Sequence, residues 1–234
     1  MLVIVADTLD ADAAALAHRW RDHDAAVMSV GDVVSAGWCH RVGAAGAATA
    51  VVGGSVVDVA TISGVLTLLP CIAAQRLAQI IPEDRGYVAA ETTAFLASWL
   101  TDLTCPVMNR PRPIWLTGPN WRPAQWVHAA AQLGIPVRPM RRRVALDGES
   151  GPASLEPRPT TLTVVAGRCF GEADATLQEH AIRLAAAAGV TLLAVHFESP
   201  RADARLIGAD LRPDIVSPGI ADAMLGYLSG SGTC

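Results

Sequence analysis

Lysine is missing altogether from these 234 residues, so all 18 basic residues are arginines. A Walker-type phosphate loop is thereby excluded, because its Gly-rich turn works with a lysine that reaches the nucleotide phosphates. Charge of either sign is sparse at 17% of residues, and the formal net charge of −4 leaves no basic surface for nucleic acid. Paired cysteines are missing too. The thiols Cys39, Cys71, Cys105, Cys169 and Cys234 are odd in number and scattered, without a C-x-x-C pair, which predicts a reduced, cytoplasmic chain. No apolar run is long and unbroken enough to span a membrane, and the opening MLVIVADTLDADA has no basic flank, so it is not a secretory signal.

Catalytic and cofactor signatures are equally thin. His18 and His23 lie five apart, off a shared helical face, and Cys39-His40 has no second ligand pair, so zinc has little support. No G-x-S-x-G elbow follows a strand. Gly43, Gly46, Gly53 and Gly54 do not form the G-x-G-x-x-G turn of a dinucleotide site. The expectation is a chain with no metal and no cofactor.

What is present is a core. Hydrophobic residues make up 51% of the chain, enough for one large domain or two small ones. Leu2 to Val5 reads as a strand. Ala13, Leu16, Ala17 and Trp20 then mark a helix face behind an Asp10 or Thr8 cap, and Ala26 to Val30 is the next strand. This β-α-β opening predicts an α/β domain with parallel strands. Residues 31 to 54 read as irregular structure leading to a strand near Ala50–Val52. Val56 to Leu69 holds one or two further strands, and Ala73 to Ile81 reads as a helix.

The stretch from Arg85 to Pro139 has the clearest local logic. Val88, Thr92, Phe95, Leu96, Trp99, Leu100 and Leu103 recur at helical spacing, predicting a helix over about 86–103. A second helix starts near Asn120 as N-cap, tolerates Pro123 in its first turn, presents Trp126, Val127, Ala130 and Leu133, and stops at Gly134. Ile135-Pro136-Val137 approaches a strand. Residues 140–159 then read as a linker containing Arg141, Arg142 and Arg143, with a short strand at 144–146. Beyond it come a strand at Thr160–Ala166, a polar turn at 167–171 and a helix closed by Gly189. Two strands follow, Leu192–Phe197 and Arg205–Ala209, and then a last helix behind Ser217-Pro218.

The succession of helix, Val107-Met108-Asn109-Arg110-Pro111 loop, helix and Gly134-Ile135-Pro136-Val137 resembles the N-terminal domain of ATP-grasp ligases, especially ribosomal-protein-modifying and graspetide (microviridin-type) peptide ligases. The tail resembles the family's C-terminal part in order and spacing. Val195-His196-Phe197 stands where the family has V-D-F, and Ile207-Gly208-Ala209-Asp210-Leu211-Arg212-Pro213 stands where it has x-E-V-N-P-x-P. In the family those acidic and Asn positions hold Mg²⁺ between ATP phosphates, a task for hard oxygen ligands. Here His196 is the wrong donor type, Gly208 offers none, and only Asp210 keeps an oxygen.

The resemblance implies an α/β fold: a pre-ATP-grasp-like domain over 1–139, a linker over 140–159, and a degenerate C-terminal ATP-grasp-like α+β part over 160–234. The central ATP-binding lid is expected to be missing, since a linker of about twenty residues is too short to enclose a core. The implied function is a catalytically silent, peptide-binding accessory protein that presents a precursor (leader) peptide to a tailoring enzyme in a ribosomal-peptide natural-product (RiPP) pathway, and a homodimer. A divergent ligase and a structural subunit of a ligase complex are the alternatives.

The aromatic inventory supplies a candidate site. Six Trp stand against three Phe and two Tyr, and Trp115, Trp121 and Trp126 fall close together. Trp99 and Trp126 read as core. Trp115 and Trp121, among Pro, Gly and Asn, are candidate peptide anchors, with Arg122 and the run Arg141, Arg142 and Arg143 as their cations and Arg110 and Arg112 nearby. No nucleic-acid or membrane partner is expected.

Overall fold

A computed structural model describes residues 1–43, 47–113, 115–139 and 159–230. The expected linker, its short strand at 144–146 and the arginines Arg141, Arg142 and Arg143 lie outside the described residues.

The chain opens with β1 (Leu2–Val5), α1 (Ala11–Arg19), β2 (Ala25–Met28), a single turn α2 (Val30–Val33), the hairpin β3 (Thr49–Val52) and β4 (Ser55–Asp58), and β5 (Gly64–Thr67). Then come α3 (Arg85–Asp102), β6 (Val107–Met108) and α4 (Pro123–Gln132). From residue 159 onward follow β7 (Thr160–Val165), β8 (Arg168–Phe170), α5 (Ala175–Ala188), β9 (Leu192–Phe197), β10 (Leu206–Asp210) and α6 (Pro218–Leu228). Two four-stranded sheets result: a parallel one ordered β2-β1-β5-β6 and an antiparallel one ordered β10-β9-β7-β8.

The first sheet is buried on both faces, which is why β1 reads as an unbroken apolar run. Val3 and Val5 point into a core with Leu96, Trp99 and Leu100 of α3, while Leu2 and Ile4 meet Leu16, Trp20 and α6 on the other side. In the second sheet Leu162, Val164, Leu193, Val195 and Phe197 pack with Leu177, Ala181 and Leu184 of α5 and with Trp126 and Ala130 of α4. Thus α4 lies in the first part of the sequence but packs against the second sheet. Beyond Gly134, Val137 bridges Leu206 in parallel, and Arg138 N–H donates to the Leu206 carbonyl at 2.9 Å.

Two devices join the sheets. Helix α6 brings Ile220, Met224 and Leu228 into one cluster with Leu2 and Ile4 of the first sheet and Val165 and Leu192 of the second. It approaches so closely that a Cβ on Gly64 would lie 2.5 Å from the Leu228 carbonyl oxygen. Asn109, buried with φ +54°, is the second. Its Oδ1 accepts the N–H groups of Thr191 and Leu192, both at 2.9 Å, and its Nδ2 donates to the Leu192 carbonyl at 2.8 Å.

Three local expectations are corrected. Ala73–Ile81 holds only a 3₁₀ turn at Ala74–Arg76, followed by further single turns. Pro82 lies just beyond, and the Arg85 guanidinium takes the carbonyls of Ala78 and Ile80, so those groups need no helix. The presumed polar turn at 167–171 contains β8, because Ala166 and Gly167 both take positive φ (+47° and +81°), the twist that suits a two-residue hairpin. The N-cap of α4 is Arg122, not Asn120: Pro123 fills the first helical position, and the Gln125 side chain accepts the Arg122 N–H at 2.8 Å.

Candidate functional site

The parallel strand order turns from β2 to β5 across β1, and the crevice beyond the carboxyl ends at such a switch is where open α/β sheets place ligands. Leu68 to Ile72 leaves β5 there. Asp7, just past β1, forms an ion pair with Arg76 at the same end. The Leu116 N–H donates to the Pro70 carbonyl at 2.8 Å, which seats the 111–123 loop on this segment. Within the loop Arg112 and Trp115 exchange backbone hydrogen bonds, forming a tight turn that presents the Trp115 indole.

The loop, the start of α4, the segment after β5 and the end of β10 line an open cavity of about 260 Å³. Trp115, Trp121 and Trp126 contribute its aromatic walls, and Asp210, Leu211 and Arg212 close it from the end of β10. Trp126 is buried in the α4 core and takes the Trp121 ring edge-on at 4.7 Å between centroids. Trp115 also lines a second cavity of about 420 Å³ with Cys71, Ile72, Ala89, Thr93 and Pro113. Its floor is the small-residue face of α3.

The structure therefore brings Trp115 and Trp121 together, both half-buried, and places exposed Arg122 at the start of α4 beside them. Arg110 and Arg112 are engaged elsewhere. Arg110 donates to the carbonyls of Leu100, Thr101, Leu103 and Cys105 at the end of α3, and Arg112 donates to that of Ala188 at the end of α5. Both places favour a cation, because helix C-termini carry partial negative charge. Trp99 is core, as its helical spacing predicts.

Sequence spacing alone did not reveal that Asp210 belongs to this wall. Its Oδ2 lies 2.8 Å from His196 Nε2, its Oδ1 accepts the Arg212 N–H at 2.8 Å, and His196 Nδ1 lies 3.0 Å from Thr161 Oγ1. Register explains the cluster: Thr161, His196 and Gly208 stand opposite one another on three adjacent strands. The signal was available as polar residues on one face of strands otherwise apolar. Burial pushes the Asp210 carboxyl up, but the His196 and Arg212 hydrogen bonds and the nearby positive charge outweigh it and hold the group below the usual carboxylate value.

This donor set does not fit Mg²⁺. Position 196 presents an imidazole and position 208 no side chain, which leaves Asp210 as the one carboxylate of the three positions. Among the described residues no three His, Cys, Asp or Glu side chains come together to hold a metal. Nor is any helix among them long and apolar enough to cross a membrane.

No protein-family model and no curated protein matches the chain. Solved structures do. The macrocyclase MdnC of Microcystis aeruginosa MRC, bound with its precursor peptide MdnA, superposes with a TM-score of 0.68 at 11% identity, over 99% of this chain and 100% of that one. The ATP-grasp ligase PsnB, complexed with a phosphomimetic variant of its minimal precursor, Mg and ADP, gives 0.65 at 15% identity over 97% and 98%. A RiPP-associated ATP-grasp ligase of Chryseobacterium gregarium, in complex with ADP and a leader and core peptide, gives 0.64 at 9% over 99% and 97%. The chain thus has an ATP-grasp-ligase-like mixed α/β fold. These superpositions run nearly end to end on both sides and mark no segment as missing.

Proposed function

We propose that this protein is a non-catalytic, peptide-binding accessory protein that presents a precursor (leader) peptide to a tailoring enzyme of a RiPP pathway. The observation that carries the proposal is the convergence of Trp115 and Trp121 with the end of β10 on one cavity at the strand switch. Half-buried indoles held by a turn offer large contact area at little entropic cost. Three solved neighbours are complexed with precursor, leader or core peptides, which supports the same kind of partner here. Silence toward ATP is supported by the lack of lysine and by the poor oxygen donor set at 196, 208 and 210. The proposal includes a missing central lid between a domain over 1–139 and a part over 160–234, a cytoplasmic location and a homodimer.

The test is fluorescence anisotropy of a labelled precursor encoded beside the gene. Replacing the anchor in Trp121→Ala is expected to cost about 2 kcal/mol, a loss of roughly thirtyfold in affinity. Arg122→Ala, at the rim, is expected to cost less and to depend on salt. Binding that neither substitution weakens would sink the site assignment. One observation favours a second function: the superposed ligases are matched over 97–100% of their length, which is what a divergent ligase would give. Calorimetry with MgATP separates the two, and saturable micromolar binding would establish the ligase alternative.

A further inference from the structure

We infer that the Trp-walled cavity takes a cationic side chain, lysine or arginine, of the bound peptide. This rests on the peptide-binding function proposed above and names what its central pocket selects.

An indole face attracts an ammonium or guanidinium more strongly than the rings of Tyr or Phe do, and Trp115, Trp121 and Trp126 all contribute walls. The edge-on contact of Trp121 with buried Trp126 fixes the orientation of the outer ring. Asp210 is the carboxylate of the lining; it is exposed, as is Arg212, the other charged residue there, and the remaining wall residues are apolar or neutral. That carboxylate is braced rather than free to wander: Arg212 N–H holds Oδ1, and His196 Nε2 holds Oδ2 while Thr161 steadies the opposite ring nitrogen. Each carboxylate oxygen accepts a single hydrogen bond in this arrangement and keeps capacity for another. The Arg212 guanidinium lies beyond ion-pair distance of Asp210, though its charge acts on that carboxyl, and His196 is the side chain that hydrogen-bonds it. Aromatic walls ending in a fixed carboxylate are the two components by which an aromatic cage holds a cation. The chain has no lysine, so no ammonium of its own side chains competes for the place.

Random dodecapeptides displayed on phage are selected against the full chain. A selected peptide is then synthesised with lysine, norleucine or glutamate at its most enriched position, and the three are titrated calorimetrically. The wild type is expected to enrich Lys or Arg at one position, to bind the norleucine version about tenfold more weakly, and to bind the glutamate version more weakly still. In Asp210→Asn the advantage of lysine over norleucine is expected to fall to about threefold or less. Trp121→Phe, which keeps an apolar wall, is expected to reduce the same advantage. Equal binding of lysine and norleucine by the wild type, a preference for glutamate, or an undiminished advantage in a folded Asp210→Asn protein would each overturn the inference. Selected peptides without a cationic preference defeat this inference and leave the peptide-binding function standing. Selection of no peptide defeats the peptide-binding function itself.

Discussion

The two sheets differ in how much of their polar and apolar patterning is used up by packing. In the parallel sheet all four residues of β1 are buried, with alternate side chains shared between two cores. In the antiparallel sheet one face is equally closed by α4 and α5, while the other is buried from Val165 and Leu192, beside α6, only as far as Thr163 and Ala194 among the described residues. Farther along the same strands that face carries Thr161 and His196, and a Cβ on Gly208 would meet nothing within 4 Å. The polar cluster of Thr161, His196 and Asp210 therefore shares its strands with the core, separated from it by face and by distance from α6.

Substitutions on the closed and open faces should sharpen this contrast. The largest effect is expected on the closed face, where Phe197 is fully buried: Phe197→Ala should cost about 3–5 kcal/mol in chemical denaturation. Asn109→Ala should come next, at about 2 kcal/mol, because the N–H groups of Thr191 and Leu192 and the Leu192 carbonyl lose their partner in a buried place. The smallest belongs to the open face, where His196→Ala should change stability by about 0.5 kcal/mol or less at neutral pH. A cost there as large as that of Phe197→Ala would erase the distinction.

Acidification sharpens the comparison further. The Asp210 carboxyl is held below its unfolded value, so its contribution is fully present above the unfolded pKa and is lost as pH falls through the folded one. Loss of this contribution is therefore expected only below the ordinary carboxylate value. In Asp210→Asn that part of the acid dependence should disappear, as denaturation midpoints measured at successive pH values would show.

Much of this was legible in the sequence because the signals were local. The 3.6-residue spacing from Val88 to Leu100, Asp10 as the cap of α1 and Gly189 as the left-handed end of α5 each act within a few residues of chain. Asn109 stood out inside its Asn-x-Pro motif, but its task did not, since its partners lie 82 and 83 residues away. Asp210 was weighed as a remnant metal position. Its place in the Trp115 and Trp121 wall needs the packing of α4 on β10, which no local pattern encodes. The hairpin at Ala166-Gly167 was missed for a different reason: a non-glycine residue at positive φ gives no compositional warning.

Helix α6 also bears on how the molecule comes apart. Its buried residues Ile220, Met224 and Leu228 touch neither sheet alone but one apolar cluster to which both contribute. Neither half can shed its partner without exposing that cluster, and the Asn109 bonds break in the same event. Melting is thereby expected to be a single cooperative transition, with both sheets reporting the same midpoint, despite their opposite strand polarity and their separation along the chain.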